Sequence, residues 1–159
     1  MKKLLTITMV LVFMCALSIG VFAEEPAENA VTPELKAELT ALRDELKELR
    51  TEHQNLHQQI VLKRADIKET VKSIKESGSL EKLDEIQPYR EELKAIKEEL
   101  KSLKAAKKEL WAEVKAAKQT KDFEAIKADL EQILELKSQI VDKVDDKIAL
   151  LDSIIDTLE

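Results

Sequence analysis

From Leu35 to Ile74 the chain marks out a seam at steps of four and three residues: Leu35, Leu39, Leu42, Leu46, Leu49, His53, Leu56, Ile60, Lys63, Ile67, Thr70 and Ile74. Nine of those twelve positions are aliphatic. Such spacing keeps one narrow stripe on one side of an α-helix, and the stripe has to be buried against other helices. Charged residues make up 36% of the chain and aromatic residues 3%, a balance that also occurs in disordered segments. The sustained period decides against disorder, because disordered charged segments carry no ordered stripe. A Lys, Glu, Leu and Ala-rich chain with this period reads as long helices or coiled coil.

The stripe is interrupted twice. Thr32-Pro33-Glu34 suits a helix start: Thr can cap, Pro is tolerated at the first helical position, and Glu complements the positive end of the dipole. The first helix is predicted from Pro33 to Glu76, about 65 Å long at 1.5 Å per residue. Ser77-Gly78-Ser79 reads as a helix stop followed by a new cap. A second helix is predicted over 80–119, kinked at Pro88. Ile86 and Leu93 lie seven apart, so the apolar phase survives that proline. Gln119-Thr120-Lys121-Asp122 forms the second turn, with Thr120 and Asp122 as candidate caps. A third helix is predicted over 122–158, with a stripe of Phe123, Ile126, Leu130, Ile133, Ile140, Val144, Ile148, Leu151, Ile155 and Leu158. Leu134, Leu136, Val141 and Ile154 widen it, as suits a helix with two neighbours. Three long helices joined by short turns predict an all-α, elongated antiparallel three-helix bundle or coiled coil.

The N-terminus has the pattern of a secretory leader. Lys2 and Lys3 precede an apolar run from Leu4 to about Val21, and Val21 and Ala23 place small residues at the exit before Glu24-Glu25-Pro26. Cleavage after Ala23 is expected, an uncleaved anchor being the rival reading. Cys15 follows Met14 inside the apolar run, which does not match a lipoprotein site. Residues 24–32 form a flexible lead, and residues 33–159 the bundle. The mature chain would contain no cysteine and no second apolar run long enough for a membrane span. The expected location is secreted, periplasmic or cell envelope, with no membrane attachment after signal cleavage.

Charge is distributed unevenly. Residues 33–77 hold nine basic and nine acidic side chains, residues 90–121 ten basic and six acidic, and residues 122–159 four basic and eleven acidic. A nucleic-acid partner is not expected from a chain with a formal net charge of −6. The plain reading is that the basic and acidic segments are antiparallel neighbours with complementary flanks. The other is that the Lys-rich helix faces an anionic partner such as a cell-wall polymer.

Few side chains stand out as chemistry. His53 and His57 are four apart and project from one helix face, where two imidazoles can share a transition metal. Glu98 or Glu99 falls roughly level with His57 if the first turn pivots near Gly78. The competing reading makes His53 a polar seam residue that sets register. The Gln/Asn-rich stretch around Gln54, Asn55, Gln58 and Gln59 is a neutral helix face or an adhesive patch. Tyr89 and Trp111 are the only Tyr and Trp, and both are possible interaction residues. Trp111 flanks Leu110 and Val114 and is expected to cover the bundle edge. Lys63 and Lys107 occupy seam-like positions, their stems free to lie over apolar neighbours. No phosphate loop, nucleophile motif or calcium loop is present, so neither an enzyme nor a cofactor is expected.

The leader, the Lys/Glu-rich periodicity and the turn Lys118-Gln119-Thr120-Lys121-Asp122-Phe123-Glu124-Ala125 resemble small secreted helical-hairpin proteins of Gram-positive bacteria, a group without an assigned activity. The plan is also similar to Spy-type periplasmic chaperones. Their Leu-Thr-x-x-Gln signature has its nearest counterpart in Leu39-Thr40-Ala41-Leu42-Arg43, with Arg in place of Gln. The expected function is a non-enzymatic interaction or structural role through the coiled-coil surface, with a protein partner or by self-association. An ATP-independent holdase for unfolded secreted proteins is the alternative, and a metal-binding protein using His53 and His57 the second.

Overall fold

A computed structural model of the chain describes residues 31–159. The leader expected over 1–23 and all but the last two residues of the expected lead lie outside the described residues. The remainder is an all-α helical bundle of α1 (Pro33–Ser77), α2 (Glu81–Glu85), α3 (Gln87–Thr120) and α4 (Phe123–Leu158). No helix among the described residues is long and apolar enough to cross a membrane.

Local chemistry accounts for the helix ends. Thr32 is extended, and its hydroxyl accepts from the Leu35 N–H at 3.2 Å, while Pro33 opens the first turn. At the other end of α1, Gly78 adopts φ 79°, the left-handed conformation that only glycine takes without steric cost. The new cap expected at Ser79 does not form. Leu80 holds the cap position of α2 with no side-chain hydrogen bond, and the Ser79 hydroxyl accepts from Ser77 instead. At α4, the Asp122 carboxylate accepts from the Ala125 N–H at 3.0 Å. The preceding α3 ends with Lys121 at φ 57° and the Asp122 N–H donating to the Ala117 carbonyl at 2.9 Å, a six-residue closure of the last turn.

Pro88 does more than kink a continuous helix. Ile86 ends α2 and also caps α3, so the chain stops and restarts around one residue. Proline lacks an N–H and its ring collides with the carbonyl four residues earlier, whereas in the first turn of a new helix that N–H is unpaired anyway. Ile86 is 1% exposed, so the restart is pinned by a fully buried side chain.

Packing sets the topology. The first core cluster joins Leu39, Leu42 and Leu46 of α1 to Val114 of α3 and Ile126, Leu130 and Ile133 of α4. The second joins Ile60, Ile96, Leu100, Ile140, Val144 and Leu151, and the third Ile74, Ile86, Ile154 and Leu158. Early α1 therefore meets early α4 and late α3: α1 and α4 run parallel, and α3 runs antiparallel to both. The backbone of α4 lies close to both long partners along its length, whereas α1 and α3 barely approach each other. Among the described residues, the buried side chains are all apolar.

Two stability outcomes follow. Ile133 is 0% exposed at the meeting of three helices, and Ile133→Ala is expected to lower unfolding free energy by about 2–5 kcal/mol in urea titration. Lys121→Gly removes the left-handed strain of a side chain with a Cβ and is expected to raise the unfolding free energy by about 1 kcal/mol in urea titration.

Candidate functional site

Between the first and second core clusters, each long helix puts a basic residue at a seam position. On α1, His53 lies seven residues from both Leu46 and Ile60. On α3, Lys107 lies seven from both Leu100 and Val114. On α4, Lys137 lies seven from both Leu130 and Val144. All six flanking residues are buried, while the three basic side chains are half-buried. A second α4 seam position, between Val144 and Leu151, is taken by Lys147, also half-buried.

These groups feel one another's charge. Burial lowers the His53 imidazole from its usual range, and Lys104, Lys107, His57 and Lys137 lower it further. Burial also lowers the ammonium of Lys107, with Lys104 adding to it. Lys137 is lowered by burial and then by Lys107 and Arg50. Lys147 is lowered by burial and then by Arg64, Lys104 and Lys97. The result is a ladder of basic side chains: Arg50, His53, His57 and Arg64 from α1, Lys97, Lys104 and Lys107 from α3, and Lys137 and Lys147 from the seam of α4. It lies on the side shared by α1 and α3, whose backbones stay farther from each other than either does from α4.

Neutralisation comes from elsewhere. Interhelical ion pairs among the described residues include Lys63 with Asp152, Lys127 with Glu38 at 2.6 Å, and Lys143 with Glu99 at 3.2 Å. None of them uses a lysine of α3. Basic α3 and acidic α4 are antiparallel neighbours as expected, but the ion pair between them runs the other way: α3 contributes a glutamate and α4 the lysine. Among the described residues, no carboxylate lies within ion-pair distance of Lys104, Lys107, Lys137 or Lys147. Lys137 instead donates to the Leu46 carbonyl, which as a helix-interior oxygen still has a lone pair to offer.

The other two grooves have the opposite sign. Glu45, Glu48, Glu52, Glu131 and Glu135 line the α1–α4 groove, and Glu109, Glu113 and Glu135 the α3–α4 groove. Acidic residues thus collect along two sides of α4 and cations along the third side of the bundle.

The remaining sequence candidates separate. His53 belongs to the ladder, and His57 lies exposed beside it. Among the described residues no cluster of three or more His, Cys, Asp or Glu side chains converges on a metal-sized position. Glu98 and Glu99, raised as partners for His57, instead hold Lys101 and Lys143. Three ammonium groups around His53 also repel a metal cation. Tyr89 packs against the third core cluster. Trp111 is 37% exposed, at the margin of the core beside Leu110 and Val114. Lys137 and Lys147 went unnoticed in the sequence. Their signal was the seven-residue step in the α4 stripe from Ile133 to Ile140, which Lys137 divides as four and three, and Lys147 at the same seam step between Val144 and Leu151, beside Ile148.

A pH dependence follows from His53. Its folded pKa lies below the unfolded value of 6.5, so unfolding takes up a proton wherever the pH falls between the two. The stability this neutral imidazole allows is present above pH 6.5 and declines as the pH drops through that window. His53→Gln is expected to flatten the change in urea midpoint between pH 7.5 and pH 5, and an NMR titration of the His53 ring is expected to give a midpoint below 6.5.

Compared with protein-family models, curated proteins and solved structures, the chain finds no significant match.

Proposed function

We propose that this chain is a non-enzymatic helical interaction or structural protein of the cell exterior or envelope, acting through its long coiled-coil surface. The observation that carries the reading is the division of the molecule: a purely apolar interior and an outside whose grooves are sorted by charge sign. Long open grooves between helices suit an extended partner, whereas small-molecule chemistry needs a concave pocket with converging polar groups. Trp111 offers a large exposed side chain of the kind that anchors protein contacts. The secreted location rests on the leader pattern of residues 1–23.

One observation favours a holdase as the second reading. Val61 and Leu62 are neighbours on α1, and they are 54% and 66% exposed. Two adjacent exposed aliphatic side chains give an unfolded client a foothold, though a small one beside the patches that mark large docking sites. The metal reading draws no support from the cationic surroundings of His53.

The deciding measurement is suppression of aggregation of an unfolded client by the purified protein at near-stoichiometric ratio, without nucleotide. The scaffold reading expects no suppression. Suppression that disappears in the Val61→Ser/Leu62→Ser double variant would replace it with the holdase. That variant is expected to fold with stability within about 0.5 kcal/mol of the parent, because both sites are exposed.

A further inference from the structure

We propose that the cationic ladder between α1 and α3 is a binding groove for a linear phosphate polymer. The inference is independent of the scaffold and holdase readings.

Geometry is the first argument. Lys107, Lys137 and Lys147 occupy positions that the seven-residue spacing otherwise fills with buried aliphatic side chains. A leucine at any of them would extend the core. Lysine there gives up hydration without gaining a carboxylate, and like charges on the facing helices add repulsion. A bound anion reverses both terms. It supplies the missing countercharge and holds α1 and α3 across the side where their backbones stay apart.

The shape of the ladder selects the ligand. Lys97 to Lys107 spans about 15 Å of α3, and Arg50 to Arg64 about 21 Å of α1, at 1.5 Å per residue. One phosphate group covers a single turn of such a groove, so filling it takes a chain of them. Lysine ammonium groups serve as point charges for phosphate, and guanidinium groups add paired donors. Tyr89 packs against the third core cluster and Phe123 against the first, and among the described residues Trp111, four residues after Lys107, is the one exposed aromatic side chain beside the ladder. A run of bases would therefore find a single ring at one end, which separates this groove from those that hold single-stranded nucleic acid on successive aromatic side chains. The acidic residues lining the other two grooves repel the same polymer and confine it to this side.

Binding is tested with sodium polyphosphate on the full purified protein, by calorimetry or by shift of the thermal midpoint, at several salt concentrations. Polyphosphate is expected to bind and to raise the midpoint, while orthophosphate at equal phosphorus concentration does neither. Affinity is expected to fall with salt with a logarithmic slope of about −3 to −4, as for four or five released counterions. Lys107→Leu/Lys147→Leu is expected to unfold at higher denaturant than the parent, since both leucines extend the seam, yet to bind polyphosphate at least about tenfold more weakly. Greater stability with weaker binding cannot come from misfolding. Lys127→Gln/Lys143→Gln removes the same charge from the α1–α4 and α3–α4 sides, where these lysines pair with Glu38 and Glu99, and is expected to bind like the parent. Equal loss in both double variants, equal binding of orthophosphate, or preference for single-stranded DNA over polyphosphate would overturn the proposal.

Discussion

The aliphatic stripe of α4 is wide enough to serve two neighbours, and its residues enter all three core clusters. Ile126, Leu130 and Ile133 pack at one end, Ile140, Val144 and Leu151 in the middle, and Ile154 and Leu158 at the other. Leu134 packs against the first cluster from the margin of the stripe, and Val141, seven residues farther along, is buried. Without α4 the stripes of α1 and α3 would lose their common floor, since those two helices hardly approach one another. Hydrophobic burial of this one helix on two sides therefore dictates the order of the other two around it.

Charge sorting follows from that arrangement. Acidic residues on α4 flank its stripe on both sides and end up lining the α1–α4 and α3–α4 grooves. Lysines that leave the α4 stripe toward the third side meet those of α3 instead. Lys127 and Lys143, at the flanks, each find a carboxylate, and their ammonium groups are raised, chiefly by a hydrogen bond to Glu38 and to Asp146 respectively. Lys137 and Lys147, at the seam, find other cations and are lowered, first by burial. The same side chain on the same helix thus experiences opposite fields, decided by its angular position. Long methylene stems make the seam positions tolerable, because they cover apolar neighbours while the ammonium reaches toward water.

Much of the fold was readable along the chain. Thr32-Pro33-Glu34, Gly78 and Asp122 mark helix ends through interactions spanning three or four residues, and those ends lie where they were expected. Less was readable where two local signals competed. The preserved phase from Ile86 to Leu93 argued for a continuous helix through Pro88, yet the helix stops and restarts there. Apolar phase measures which face is buried and is blind to a single missing hydrogen bond. Ser79 has a capping side chain, but its hydroxyl is engaged by Ser77 and the cap position falls to Leu80. Of the candidate site, His53 and Lys107 were visible as polar breaks in their stripes. Lys137 and Lys147 were hidden because alternative apolar positions, such as Ile148, let the α4 stripe be drawn around them.

The sequence by itself determined the fold class, the helix ends set by capping and glycine, and the face each helix buries. Those properties depend on neighbours a few residues away, and the helical period carries them directly. Only the tertiary structure decided that α4 is the shared floor, that α1 and α3 stay farther from each other than from α4, and that nine basic side chains from three helices gather between them. Such convergence depends on the register and rotation of helices whose contacting residues lie up to about ninety positions apart, as in the pairing of Lys63 with Asp152. Net charge per segment shows how many cations a helix carries, but their direction is set when the stripes pack and each helix takes its rotation about its own axis.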